Sequence, residues 1–157
     1  MTIKPRVLFL CTHNSARSQM AEAFLRKYAG DRFDVYSAGL EPTEIHPYTR
    51  KVMEEAGLDM SGQSAKGLQQ YLGKVHFAYL ITVCSRADQL CPIFPGMGQR
   101  LSWPFEDPAV LEGSPEQKLD KFRRVRDQME QRIQQWLSEL SQEPKIGQTQ
   151  GSAPTHS

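Results

Sequence analysis

Four consecutive apolar residues, Val7 to Leu10, run straight into Cys11-Thr12-His13-Asn14-Ser15-Ala16-Arg17-Ser18, and a helical pattern starts at Arg17. That junction constrains the fold most. A short unbroken apolar run reads as a strand covered on both faces, as in a parallel sheet. A strand of that kind must hand the chain to a crossover helix. From Arg17 to about Tyr28, Met20, Phe24 and Tyr28 recur every four residues with Ala21 and Leu25 beside them, and Gly30 ends the helix.

The loop between strand and helix carries chemistry as well as topology. Five residues separate Cys11 from Arg17, enough for one tight turn whose backbone N–H groups converge above the sulfur. Such a loop opening into a helix gathers donors and the positive end of the helix dipole, so residues Thr12 to Ser18 form a candidate anion-binding loop. Arg17 adds a planar fork of donors suited to two oxygens of one anion. The same field favours a thiolate at Cys11, to which Ser18 can donate a hydrogen bond. Asn14 suits the left-handed backbone a tight loop calls for. The plain alternative is that Cys11 is a small buried apolar residue.

Further along, Phe33, Val35 and Ser37 alternate toward Ala38-Gly39 and read as a second strand. Pro47 opens a helix carrying Val52, Met53 and Ala56, closed by Gly57. Small and polar residues then cross the surface to a short helix near Leu68 to Leu72. Phe77 to Val83 is another central strand, with Cys84 at its carboxyl end. A Pro- and Gly-rich stretch after Cys91 precedes a last strand over Arg100 to Trp103. Ser114-Pro115-Glu116-Gln117 is a capping-box start. The long amphipathic helix beyond it carries Phe122, Val125, Met129, Ile133, Trp136 and Leu140 on one face. Alternating strands and helices predict an α/β fold with right-handed crossovers. Carboxyl ends of parallel strands line the ligand crevice, so Cys11 and Cys84 are expected to meet over one site.

Composition narrows the partners. Nineteen Lys plus Arg against eighteen Asp plus Glu leave a net charge of +1, which argues against nucleic acid or an anionic membrane surface as the main partner. No apolar run approaches a membrane span or a signal-peptide core. The expectation is a cytoplasmic monomer with one catalytic domain over residues 1–141 and a disordered tail over 142–157. Three cysteines do not make a disulfide framework. Cys84 and Cys91 are also too widely spaced for the usual structural zinc pair. Reactive thiols are the better reading.

The string C-x5-R-S between strand and helix, joined by Asp107-Pro108 within Trp103-Pro104-Phe105-Glu106-Asp107-Pro108-Ala109, resembles the low-molecular-weight protein tyrosine phosphatase superfamily. The filling T-H-N-S-A-R-S-Q is similar to that of its thioredoxin-coupled arsenate reductases. The resemblance implies a three-layer fold around a four-stranded parallel sheet in the order 2-1-3-4. It implies Asp107 as the general acid at the departing oxygen, where the plain alternative is an ordinary Asp-Pro turn.

It also implies a relay. Cys11 attacks arsenate, Cys84 attacks Cys11 and releases arsenite, and Cys91 attacks Cys84, with thioredoxin as the reductant and no cofactor. Two thiols closing to a disulfide supply the two electrons a reductase needs, and Arg86 could favour the Cys84 thiolate. Asn14, Glu22 and Ser37 match a potassium site of some members. The fourth ligand there is an aspartate, near which this chain has Lys66, so either the Lys66 charge replaces the ion or the site is empty. A tyrosine phosphatase, which needs one cysteine and aromatic residues at the crevice rim, is the alternative enzyme. A phosphate-binding or redox-sensing module is the non-enzymatic alternative.

Overall fold

The computed structural model describes residues 4–90, 97–110 and 112–142. Four strands, β1 (Arg6–Cys11), β2 (Asp34–Gly39), β3 (Phe77–Thr82) and β4 (Met97–Ser102), form one parallel sheet in the order β2-β1-β3-β4. The α-helices are α1 (Arg17–Ala29), α2 (Pro47–Glu55), α3 (Ser85–Leu90) and α4 (Pro115–Gln142). The order and the parallel pairing are those implied by the resemblance.

Register explains the layers. Val7 lies opposite Val35 and Tyr79, and Leu8 opposite Tyr36 and Leu80, so these two rows face opposite sides of the sheet. On the first side Trp136 of α4 stacks on Phe33 at 5.7 Å and meets Tyr79 at 5.1 Å and Trp103 at 5.7 Å. On the other, Tyr36 meets Tyr71 edge-on at 5.4 Å. The central strand β1 is therefore sealed on both faces, with Val7 to Leu10 fully buried, as an unbroken apolar run requires.

Helix α4 buries Leu119, Phe122, Val125, Met129, Ile133 and Trp136 at three- and four-residue spacing. It starts on a reciprocal capping box, in which Ser114 N–H donates to Gln117 Oε1 at 2.8 Å and Gln117 N–H to Ser114 Oγ at 3.2 Å.

Several boundaries differ from the sequence expectation. The short helix near Leu68 is a single 3₁₀ turn, Leu68–Gln70. The last strand begins at Met97 rather than Arg100 and ends at Ser102. Helix α4 continues through Gln142, where the tail was expected to begin, and residues 143–157 lie outside the described residues. Among the described residues, no helix is long and apolar enough to cross a membrane.

Candidate active site

The loop after β1 owes its shape to its own carbonyls. Those of Cys11, Thr12 and His13 accept the N–H groups of Leu40, Glu41 and Thr43 at 3.1, 2.8 and 3.1 Å. The Ser15 carbonyl accepts His46 N–H at 3.0 Å and the Thr49 hydroxyl at 2.9 Å. The Asn14 carbonyl accepts Gln19 Nε2 at 3.0 Å. With these oxygens tied to the surrounding chain, the N–H groups are left to the concave side. Asn14 N–H reaches Cys11 Sγ at 3.2 Å.

Asn14 has φ 54°, the left-handed conformation anticipated for it. Gly39 packs so closely against the loop that a Cβ there would stand 2.8 Å from both Asn14 N and His13 C. No other residue fits that position. Helix α1 then begins with Ala16 in the capping position and no side chain capping it.

Behind the loop, a buried polar network orders its hydrogens. Asn14 Oδ1 accepts the backbone N–H of Lys66 at 2.8 Å, which leaves Nδ2 to donate to Ser18 Oγ at 2.7 Å and Ser37 Oγ at 3.0 Å. The Ser37 hydroxyl donates to Glu22 Oε1 at 2.5 Å. Ser18, already accepting from Asn14, has its own proton free for Cys11 Sγ at 2.8 Å. The chain of donors thus ends on the sulfur.

Glu22 in turn is paired with Arg26 at 2.8 Å and with the Lys66 ammonium at 3.6 Å. Burial pulls the Lys66 ammonium below its ordinary range, and the Glu22 charge opposes that. Lys66 therefore does place its charge beside Glu22, with Ser37 and Asn14 completing the cluster.

Arg17 is buried, with 10% of its side chain exposed; it donates to the Phe105 carbonyl at 3.1 Å and lies 3.6 Å from Asp107. Asp107 also accepts Ala109 N–H at 3.0 Å, an Asx turn that leaves the carboxyl at the crevice. Across the loop, Cys84 Sγ lies 3.5 Å from the Thr12 hydroxyl and accepts Ala87 N–H at 3.4 Å. Val83 N–H bonds the Leu10 carbonyl at 2.9 Å, which sets Cys84 beside Cys11 at the carboxyl end of the sheet.

Thr12, His13, Arg17, Cys84, Arg86, Phe105 and Asp107 line a crevice of about 350 Å³. A roomier hollow of about 450 Å³ beside Arg26, Lys27 and Asp59 holds none of the thiols and has no part in this site. Among the described residues, no group of three or more His, Cys, Asp or Glu could hold a metal ion.

The structure thus brings together Cys11, the loop Thr12 to Ser18, Cys84 and Asp107, with Asn14, Glu22 and Ser37 behind. Cys91 lies outside the described residues. Three contributors were given no role from the sequence. Gln19, fully buried on α1, ties Asn14 to Ser64. His46 caps α2 by accepting Tyr48 N–H at 3.0 Å and packs on Phe122 at 4.7 Å. Phe105 orients Arg17 through its carbonyl. Polar residues directly after the Cys-Arg motif, inside a helix that must pack against a sheet, were the available signal for Gln19.

The family model for the low molecular weight phosphotyrosine protein phosphatases matches residues 6–146. The chain belongs to that family. It is 45% identical over 131 residues to an arsenate reductase of Halalkalibacterium halodurans, covering 83% of this chain and 93% of the relative. A solved arsenate reductase in the phosphate-binding state superposes with a TM-score of 0.73 at 32% identity, covering 86% of this chain and 98% of that one. A thioredoxin-dependent arsenate reductase of Corynebacterium glutamicum does so with a TM-score of 0.66 at 33% identity, covering 90% of this chain and 65% of its own. All three of these relatives are arsenate reductases.

Proposed function

We propose that the protein reduces arsenate to arsenite by a relay of three thiols. The observation that carries this reading is the second sulfur: Cys84 stands at the rim of the loop that holds Cys11, within hydrogen-bond reach of Thr12. A phosphatase has no use for it. The arsenate reductases among the relatives support it further.

In the proposed sequence the Cys11 thiolate attacks As(V), an S–As bond forms, and an As–O bond breaks. Asp107, beside Arg17, gives its proton to the departing oxygen. The Cys84 thiolate then attacks Cys11 Sγ. An S–S bond forms, the S–As pair stays with arsenic, and As(III) leaves as arsenite. Attack by Cys91 on Cys84 frees the Cys11 thiolate and leaves a Cys84–Cys91 disulfide. The dithiol of a protein reductant of the thioredoxin kind, the class named for the Corynebacterium relative, takes up that oxidation.

The third step would have α3 open so that Cys84 and Cys91 can meet. A helix carried on from Ser85 through residue 91 would place the two alpha carbons about 10 Å apart, whereas a disulfide needs them within roughly 7 Å. Behind the loop, the Lys66 ammonium serves as a built-in cation for Glu22.

The test is turnover of arsenate with thioredoxin and its reductase, run beside turnover of an aryl phosphate. The proposal expects arsenite production to dominate. Aryl phosphate turnover without arsenite would establish the phosphatase alternative, and neither activity would leave the binding or sensing module.

A further inference from the structure

Helix α3 carries Cys84 at its head, yet apolar burial does little to hold it. Ala87 is its one buried residue, and Leu90 is 55% exposed. Polar contacts attach it instead. At its start, Cys84 Sγ accepts Ala87 N–H at 3.4 Å, so the sulfur itself is the cap. One turn on, the Asp88 carboxylate accepts the hydroxyl of the fully buried Thr82 at 3.2 Å and stands 3.5 Å from Arg100 Nη2. The same guanidinium donates to the Asp88 backbone carbonyl. Asp88 is thereby clasped by side chain and main chain to two strands, β3 through Thr82 and β4 through Arg100. A second link, Arg86 to Glu41 at 3.3 Å, is more than half exposed at both ends and worth little.

We propose that Asp88 is a positioning residue: its clasp on Thr82 and Arg100 keeps α3 closed, aims Cys84 at the anion loop, and gives way after Cys84 has reacted. The inference rests on the relay proposed above and adds the device that times it. The cap and the clasp respond differently to the chemistry. The reduced Cys84 sulfur accepts Ala87 N–H, and a disulfide sulfur is a poor acceptor. Once Cys84 has bonded to Cys11, the head of α3 loses its cap and the clasp alone holds the helix. A helix of six residues has too few internal hydrogen bonds to persist by itself. With the clasp as its last tie, the segment gives way as Cys91 attacks, which closure of a Cys84–Cys91 bond requires.

Two measurements read α3 without arsenate: hydrogen exchange over residues 85–90, and alkylation of Cys84 by iodoacetamide in a Cys11→Ser, Cys91→Ser background. Loss of the charged hydrogen bonds in Asp88→Ala should speed both by about tenfold. Asp88→Asn, which still accepts from Thr82 and keeps its carbonyl on Arg100, should give a smaller increase and guards against misfolding of the alanine variant. Protection of Cys11 from alkylation by inorganic phosphate, with the native thiols in place, should keep its midpoint within about twofold, since Asp88 does not touch the loop. Arsenite release in a single turnover should slow by several-fold.

Unchanged exchange and alkylation in both variants would overturn the clasp. Weakened phosphate protection would overturn it as well, by showing a general structural role. Arsenite release by a Cys84→Ser chain would defeat the relay instead, and would leave the exchange and alkylation results to decide the clasp on their own.

Discussion

Cys11 and Cys84 stand at the ends of neighbouring strands, and the chain holds them by different means. Around Cys11, five loop carbonyls, Asn14, Gln19, Ser37 and Glu22 form a closed buried network in which each hydrogen has one direction to go. Around Cys84, a six-residue helix with one buried side chain is held by Asp88 and by the sulfur itself. The first arrangement suits a site that must present the same donors to an oxyanion at each cycle. The second suits a nucleophile that must move after it reacts. Rigid and releasable segments on one crevice are what a relay needs and what simple phosphate ester hydrolysis does not.

The sharpest way to break the rigid half is through its reacting atoms. Cys11→Ser should abolish arsenate reduction and any aryl phosphate turnover, because a serine hydroxyl is a far weaker nucleophile than sulfur and cannot form the disulfide. Arg17→Lys should lower the rate of arsenate reduction by about a hundredfold or more, a point charge being unable to fork two oxygens. Steady-state arsenite assays check both.

Asn14 tests the network rather than the chemistry. Asn14→Ala removes four hydrogen bonds, three of them buried, and leaves a Cβ at φ 54° without the compensation Asn has. A loss of about 2–3 kcal/mol in urea unfolding is expected. Asn14→Gly, free of the backbone strain, should recover part of it.

A smaller effect is expected at His46, which joins the loop to α2. Burial holds its imidazole below the ordinary histidine range; Asp107 pulls it up and Lys118 pushes it down. The folded protein therefore resists a proton that the unfolded chain accepts. The stability this contributes is complete above the unfolded value of about 6.5 and is lost as pH falls below it. His46→Asn, which keeps the cap on α2, should show a shallower fall in Tm between pH 7.5 and 5.5 than the parent chain.

Smallest of all is the response to cations. With Lys66 already beside Glu22, exchanging sodium for potassium should leave Tm and activity unchanged. A saturable potassium stabilisation would show an ion bound to the folded state and remove Lys66 from that role.

How much of this was legible in the chain follows from what is local. The strand, loop and first helix are contiguous, so the apolar run, the Cys-Arg spacing and the Met20-Phe24 period could be read together, and Asn14 could be assigned its left-handed turn. The partners of Glu22 and Gln19 could not be read that way, because Ser37, Ser64 and Lys66 reach them from distant segments. A helix buried on nearly every side, with its polar residues satisfied at long range, resembles an ordinary amphipathic helix in its sequence. The start of β4 was hidden for a related reason: Gly98 and Gln99 carry no strand signal, and pairing with β3 through Tyr79 and Gln99 imposes the conformation. Thr82 passed as one more residue of the strand Phe77 to Val83, and only the fold shows that its hydroxyl meets Asp88.

The relay is tested most directly by a single variant, Cys91→Ser, reduced and given excess arsenate with thioredoxin as the sole reductant. The account predicts one arsenite per chain and then a stall, with mass spectrometry showing a Cys11–Cys84 disulfide. Repeated turnover by that variant would contradict it.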